Sequence, residues 1–415
     1  NNKFSTDETV KNDRPMIFHS TNVHNLTMDN NVFVGRSVNY NDAVKLGNGA
    51  SVGITGELIV TNNHFENYGQ YLLWLQKFGA VNVLVENNTF LNNGQTAGSH
   101  GAIRFQAFTG AATDEVNCEM YYNTVDNSYM LLRVDAAPAG AKFVCNYNTV
   151  QNSKDTLIVK NATSATVTCD SNYWAFESVT DAMFKGATHT NDLTDAESIP
   201  SKEEAWLEGK LIVGADAAYK TIAEALAAAK EGDEIYLTAG TYDEAVTITV
   251  ANLTIYGPNH GVAGTAERAA EAVLAQPLTV EAAGFTVDGV QFGAACNVVV
   301  KANDATITNV HSVSTKFAKA GGTNRTAVVT TSGKVSNFEL SNSFFNTGAS
   351  TYLKGVFAND EAVTNALFKN NFFTHEGTDN STLADCIAMY NSAGVIEFIG
   401  NTFEWVTDDW CIMLG

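Results

Sequence analysis

Proline is scarce in this chain, at 5 of 415 residues, while glycine is plentiful at 32. Few residues therefore interrupt a strand ladder, and tight bends are well supplied. No run of about 18 apolar residues occurs, which excludes a bilayer-spanning helix and leaves membrane insertion without a vehicle. Cations are few: 24 Lys plus Arg against 45 Asp plus Glu leave a net charge of −21. Such a surface repels phosphate backbones and anionic lipid, so nucleic acid is not an expected partner. The 6 cysteines contain no Cys-x-x-Cys pair, which disfavours zinc held through sulfur. With 45% hydrophobic and 17% charged residues, the composition is that of a chain with a core, not a disordered one.

A short polar-then-aromatic phrase recurs instead. It reads Asn2-Lys3-Phe4, Asn31-Val32-Phe33, Asn63-His64-Phe65 and Asn88-Thr89-Phe90, then Asn123-Thr124-Val125, Asn148-Thr149-Val150 and Asn172-Tyr173-Trp174. A second series reads Asn342-Ser343-Phe344, Asn371-Phe372-Phe373 and Asn401-Thr402-Phe403. The intervals are 29, 32, 25, 35, 25 and 24 residues in the first series, and 29 and 30 in the second. A fixed step at this period marks a solenoid. Around each anchor asparagine the side chains alternate, as in Leu73-Trp74-Leu75-Gln76 and Ile103-Arg104-Phe105-Gln106. Alternation identifies half-buried strands, and its return once per interval stacks them in parallel. The expected fold is all-β, a right-handed parallel β-helix. The anchors are expected to take left-handed backbone at coil bends and to hydrogen-bond to their counterparts above and below. Cys145 and Cys169, 24 residues apart, and Cys386 and Cys411, 25 apart, fall at repeated positions, and Cys118 keeps the same side-chain parity. They read as free thiols stacked about 4.8 Å apart.

Two tandem stacks are expected: residues 1–174 as the first, 175–210 as a linker in which acidic and small polar residues dominate, and 211–415 as the second. Thr221-Ile222-Ala223-Glu224 has the form of a capping box, so a short helix near 221–230 would cover the second stack's first coil. The chain opens on Asn1-Asn2-Lys3-Phe4 and closes on Trp410-Cys411-Ile412-Met413-Leu414-Gly415, both inside repeat-like segments. The expectation is a piece of a longer protein, or ends covered by other chains, including self-association of open coils into filaments.

The run Ala218-Tyr219-Lys220-Thr221-Ile222-Ala223-Glu224-Ala225-Leu226, with Asp233-Glu234-Ile235-Tyr236-Leu237, Gly240-Thr241-Tyr242 and Leu253-Thr254-Ile255-Tyr256-Gly257, resembles the N-terminal opening of the pectin-lyase-like β-helix superfamily, in its pectinesterase and pectate-lyase branches. The resemblance spans residues 218–257 and implies the fold. It implies no activity, because the pectinesterase phrases Gln-Asp-Thr-Leu and Asp-Phe-Ile-Phe-Gly are absent, and so is the full polygalacturonase set, of which Ser99-His100-Gly101 echoes one piece.

Chemistry is therefore sought on an outer face. Aligning the first stack's strands puts Lys45, Trp74, Arg104 and Arg133 on one outward ladder, with Gln76, Gln106, Asp135 and Lys160 on its neighbour. A Trp offers a platform for sugar rings, and Arg with Gln offers donors for carboxylates and hydroxyls. Outward positions of a sheet are polar by default, and Arg133 pairing with Asp135 would explain both without a ligand. One carboxylate in the cluster is too few for a hydrolase pair. A calcium site would want several clustered oxygens, so no cofactor is expected. These observations favour a secreted or cell-surface protein with a structural, adhesive or glycan-binding role, its partner a polysaccharide or cell-surface glycan. The alternatives are a polysaccharide lyase or hydrolase on an acidic glycan, and a phage or virus spike.

Overall fold

The computed structural model describes residues 2–5, 17–19, 22–36, 42–47, 53–94, 100–313, 327–348, 355–359, 361–375, 386–404 and 411–415. Its construction begins at the anchors. Asn63 donates from its backbone N–H and its Nδ2 to Oδ1 of Asn88, at 2.9 and 3.0 Å. Asn88 does the same to Asn123, Asn123 to Asn148, and Asn148 to Asn172. Each Nδ2 also reaches a carbonyl of a neighbouring coil, as Asn123 does to Val85 at 2.8 Å. Asn63, Asn88, Asn123, Asn148 and Asn172 are all buried. A buried amide must find its partners inside the protein, and here the same residue one coil away supplies them.

The anchors themselves are not left-handed, contrary to the expectation. That conformation falls on the residue before each: Asn30, Asn62 and Asn87, then Tyr122, Tyr147 and Ser171, with φ between 52° and 59°. Asparagine tolerates this region best. Tyrosine and serine stand there because the anchor that follows holds the bend. Two residues past each anchor the side chain turns into the core, and Phe4, Phe33, Phe65 and Phe90 stack with centroids 4.8, 4.8 and 5.4 Å apart.

Among the described residues every strand pairing is parallel, which with the coil-to-coil registers makes this a parallel β-helix. The chain divides into two compact units, Asn1–Glu203 and Glu204–Gly415. In the first, three seven-stranded sheets run along the stack: an anchor sheet (with Thr89–Leu91), a ladder sheet (with Leu73–Leu75) and a long sheet (with Phe78–Glu86). In the second, an eight-stranded sheet from Leu211–Val213 to Ala393–Ile399 accompanies two seven-stranded ones.

The segment 175–210, expected as a linker, carries the closing strands of the first stack. Phe184–Lys185 pairs with Val159–Asn161, and Thr188–Thr190 with Thr166–Asp170. Its polar composition belongs to the closure: His189 bonds to Asp192 and Asp181 at 2.7 and 3.0 Å and stacks on Phe184, while Trp174 Nε1 donates to Asp192. In the second stack the helix is Ile222–Ala228. Thr221 Oγ1 accepts from the Glu224 N–H, and Glu224 returns the bond. Ile222 and Ala225 are buried on that helix, which packs on Leu211–Val213 and Val246–Ile248.

Asn342-Ser343-Phe344 is shifted by one residue from its expected role. Ser343 is the anchor, donating from its N–H to Asn371 Oδ1 at 3.0 Å, and Phe345 is the inward ring over Phe373. Asn342 is the left-handed residue, at φ 51°. A one-residue shift exchanges inside for outside, so Phe344 faces outward. All six cysteines are free thiols. Cys145 and Cys169 are register partners, whereas Cys118 opposes Phe143 and Met120 stands beneath Cys145.

If the anchors carry the stack, Asn123→Ala, which strands several buried donors and acceptors, lowers unfolding free energy by about 2–4 kcal/mol. Asn117→Ala, which loses an exposed amide bond to Asn82, costs about 0.5 kcal/mol or less. Urea denaturation followed by circular dichroism measures both.

Candidate functional site: a cationic and aromatic ladder on the first stack

On the ladder sheet the three-residue pattern is buried, half-buried, buried, as in Leu73-Trp74-Leu75. The middle residue points outward on each coil. The registers place Lys45 against Trp74, Trp74 against Arg104, Arg104 against Arg133, Arg133 against Lys160, and Lys160 against Lys185. The neighbouring column follows two residues later: Gln76, Gln106 and Asp135 bond from their backbone N–H to Leu46, Leu75 and Phe105 respectively.

Lys160 does not join that column. It continues the first ladder, and Ala162 takes the place after Asp135. The slip is two residues, which leaves alternation intact. Its cause is Asn161, a polar residue in an inward position, buried and bonded through Nδ2 to the carbonyls of Ala165 and Gly186.

The side chains engage one another closely. Arg104 donates through Nε and Nη2 to Asp135 Oδ2 at 2.8 and 2.7 Å. Arg133 Nε donates to the same carboxylate at 2.8 and 3.1 Å. One acid thus holds two guanidiniums on successive coils. Burial pushes the Asp135 carboxyl up, but the hydrogen bonds from Arg133 and Arg104 outweigh it and leave it below the usual carboxylate range. Trp74 Nε1 donates to Gln106 Oε1 at 2.9 Å, which fixes the indole. Lys45 Nζ lies 4.1 Å from the Trp74 ring centroid, and the Arg104 guanidinium 5.5 Å from it. Among the described residues the buried Gln76 Oε1 finds no hydrogen-bond partner.

Three further residues complete the cluster: Asp42 and Tyr71, which were missed in the sequence, and His100, noted there only as an echo of the polygalacturonase phrase. The Tyr71 ring lies against Trp74 at 5.5 Å, against His100 edge-on at 5.5 Å, and under the Arg104 guanidinium at 5.1 Å. Arg133 Nη1 reaches the Tyr71 hydroxyl at 3.4 Å. Burial raises the Tyr71 phenol, against the pull of Arg104 and Arg133. Burial, then Arg133 and Arg104, lower the His100 imidazole and keep it neutral. Asp42 is 2% exposed and accepts from the Tyr71 N–H at 3.0 Å. Burial pushes its carboxyl up to about 7, opposed by that bond and by Lys45 and Arg104. The available signal was their place at strand starts: Asp42 and Tyr71 each lie three residues before a ladder residue, and His100 four before Arg104.

Among the described residues no group of three or more His, Cys, Asp or Glu is placed to hold a metal ion. A groove of about 320 Å³ on the long sheet is lined by Glu57, Ile59, Asn82, Leu84, Asn117 and Glu119 among others, with no Lys or Arg in the lining.

No family model matches the chain, and no curated protein does. Among solved structures it is similar to the PL6 family alginate lyase AlyGC at 13% identity, covering 96% of this chain and 78% of that one, with a TM-score of 0.22. A point mutant of the same lyase aligns at 9% identity over 100% and 96% of the two chains, with a TM-score of 0.19. Likeness at this distance transfers no residue and no activity. The fold rests on the strand pairing above.

The buried Asp42 fixes a pH dependence. A carboxyl raised on folding contributes most below its unfolded value near 4, and that contribution is lost as pH climbs to about 7. Asp42→Asn is therefore expected to be more stable than the wild type at pH 8, by roughly 1–4 kcal/mol, with the gain vanishing near pH 4. Thermal unfolding across that range measures it.

Proposed function

We propose that the ladder face of the first stack binds an acidic polysaccharide, in a protein that works outside the cell or at its surface. The observation that carries this reading is the Arg104–Asp135–Arg133 arrangement beside the half-exposed Trp74. On a chain of net charge −21, cations recur at Lys45, Arg104, Arg133, Lys160 and Lys185 along one column. Stacked like charges create a local positive field, which the Asp135 carboxylate moderates at the middle pair. A polymer carrying a carboxylate on each sugar is complementary to such a column. The indole offers a stacking face for a sugar ring, and Gln76 and Gln106 offer amides for hydroxyls.

A second reading, cleavage of the bound chain, is favoured by His100. A neutral imidazole beside two guanidiniums suits β-elimination of a uronate. The guanidiniums offset charge developing on the carboxylate as His100 takes the proton from the adjacent carbon. The electron pair then forms the carbon–carbon double bond and expels the glycosidic oxygen, which is protonated by the imidazolium. Tyr71 is too buried to meet substrate and serves to orient His100 and Arg133. Hydrolysis is less suited, because Asp135 is held ionised by two arginines and Asp42 is buried.

Affinity electrophoresis in gels of polygalacturonate, alginate and neutral dextran tests binding. Retardation by an acidic polymer alone is expected, weakened about tenfold or more by Trp74→Ala and by Arg104→Ala. Equal mobility in all three gels overturns the reading. Ultraviolet absorbance of unsaturated uronate products, present in the wild type and lost in His100→Ala with binding retained, separates cleavage from binding alone.

A further inference from the structure

Beneath the ladder lies a charge that the binding reading does not use. Asp42 is sealed from solvent at 2% exposure, and among the described residues the Tyr71 N–H is the one donor within hydrogen-bond distance of its carboxyl. Among the described residues, the groups that act on it are Lys45 on its own segment, Tyr71 from the next coil, which bonds to it, and Arg104 from the coil after that, whose guanidinium lies 5.1 Å from the Tyr71 ring. Asp135 and His100 stand beyond them, against Arg104 and Tyr71. An ionised carboxylate in this position is cut off from solvent, so attraction to Lys45 and Arg104 favours the charge there. Once an anionic ligand engages those same two cations, that support is withdrawn.

We infer that Asp42 is a proton-linked counter-charge to the polyanion site: it takes up a proton when an acidic glycan binds, so affinity rises as pH falls. The inference rests on the glycan-binding reading and adds its regulation. Linkage is reciprocal, since a ligand that favours the protonated carboxyl is itself favoured by protons. Burial already places this carboxyl near neutrality, so the response falls between pH 6 and 8. His100 is shifted the other way, since burial and the two arginines lower its imidazole below the ordinary histidine value.

Isothermal titration calorimetry with an oligogalacturonate, run at pH 6 and pH 8 in two buffers of different ionisation heat, tests it. Roughly four- to tenfold tighter binding at pH 6, with net proton uptake near pH 7, is the expected result. Asp42→Asn is expected to bind at pH 8 as the wild type does at pH 6, with the pH dependence gone. Binding without proton uptake, or an Asp42→Asn protein that keeps the wild-type pH profile, overturns this inference and leaves the glycan reading standing. Absence of binding at every pH overturns both. Proton uptake is read on the wild type, so the test survives a variant that fails to fold.

Discussion

A buried side-chain amide at one corner of each coil from Asn31 to Asn172 is the constraint from which the rest of the first stack follows. Its Oδ1 satisfies the backbone N–H and the Nδ2 of the neighbouring anchor, and its own Nδ2 reaches a carbonyl one coil away. The amide has no water to fall back on, so each coil must sit in register with the next. That register makes residues 29 or 30 positions apart into vertical neighbours, as Lys45, Trp74 and Arg104 are. The aromatic column inside and the charged column outside are two consequences of one corner.

Winding and side-chain parity were legible, because both are periodic. Asn-x-aromatic returns once per coil, and alternation sorts inside from outside without knowledge of any loop. Phase was less so. A two-residue slip at Lys160 keeps parity, so only the inward Asn161, satisfied by carbonyls of Ala165 and Gly186, reveals it. At Asn342 the phrase matches one residue early, because serine does the anchor's task with a shorter side chain. The same limit hid half of the site. Lys45, Trp74, Arg104 and Arg133 occupy mid-strand positions and were found by alignment. Asp42, Tyr71 and His100 stand where strands begin, and the spacing from the preceding anchor to that point varies from coil to coil.

Electrostatics of the ladder face run against the charge of the whole. Most of the 45 acidic residues are spread over the surface, yet the outward column of one sheet carries Lys or Arg at five positions. Local geometry decides what a ligand meets, since charges beyond about 10 Å are screened at moderate salt. Asp135 restrains the two central guanidiniums, so docking of an anion on them would cost less conformational entropy. Trp74 is likewise held in place, through its bond to Gln106.

The variable spacing between anchors has a consequence for change over time. Intervals range from 24 to 35 residues, yet the corner hydrogen bonds keep the same partners throughout. Part of the difference is taken up in the strands of the long sheet, which run from 5 residues at Thr166–Asp170 to 9 at Phe78–Glu86. Segments between anchors can therefore change length while the first stack keeps its corner hydrogen bonds. A new recognition surface can be grafted onto such a scaffold one coil at a time, without renegotiating the interior.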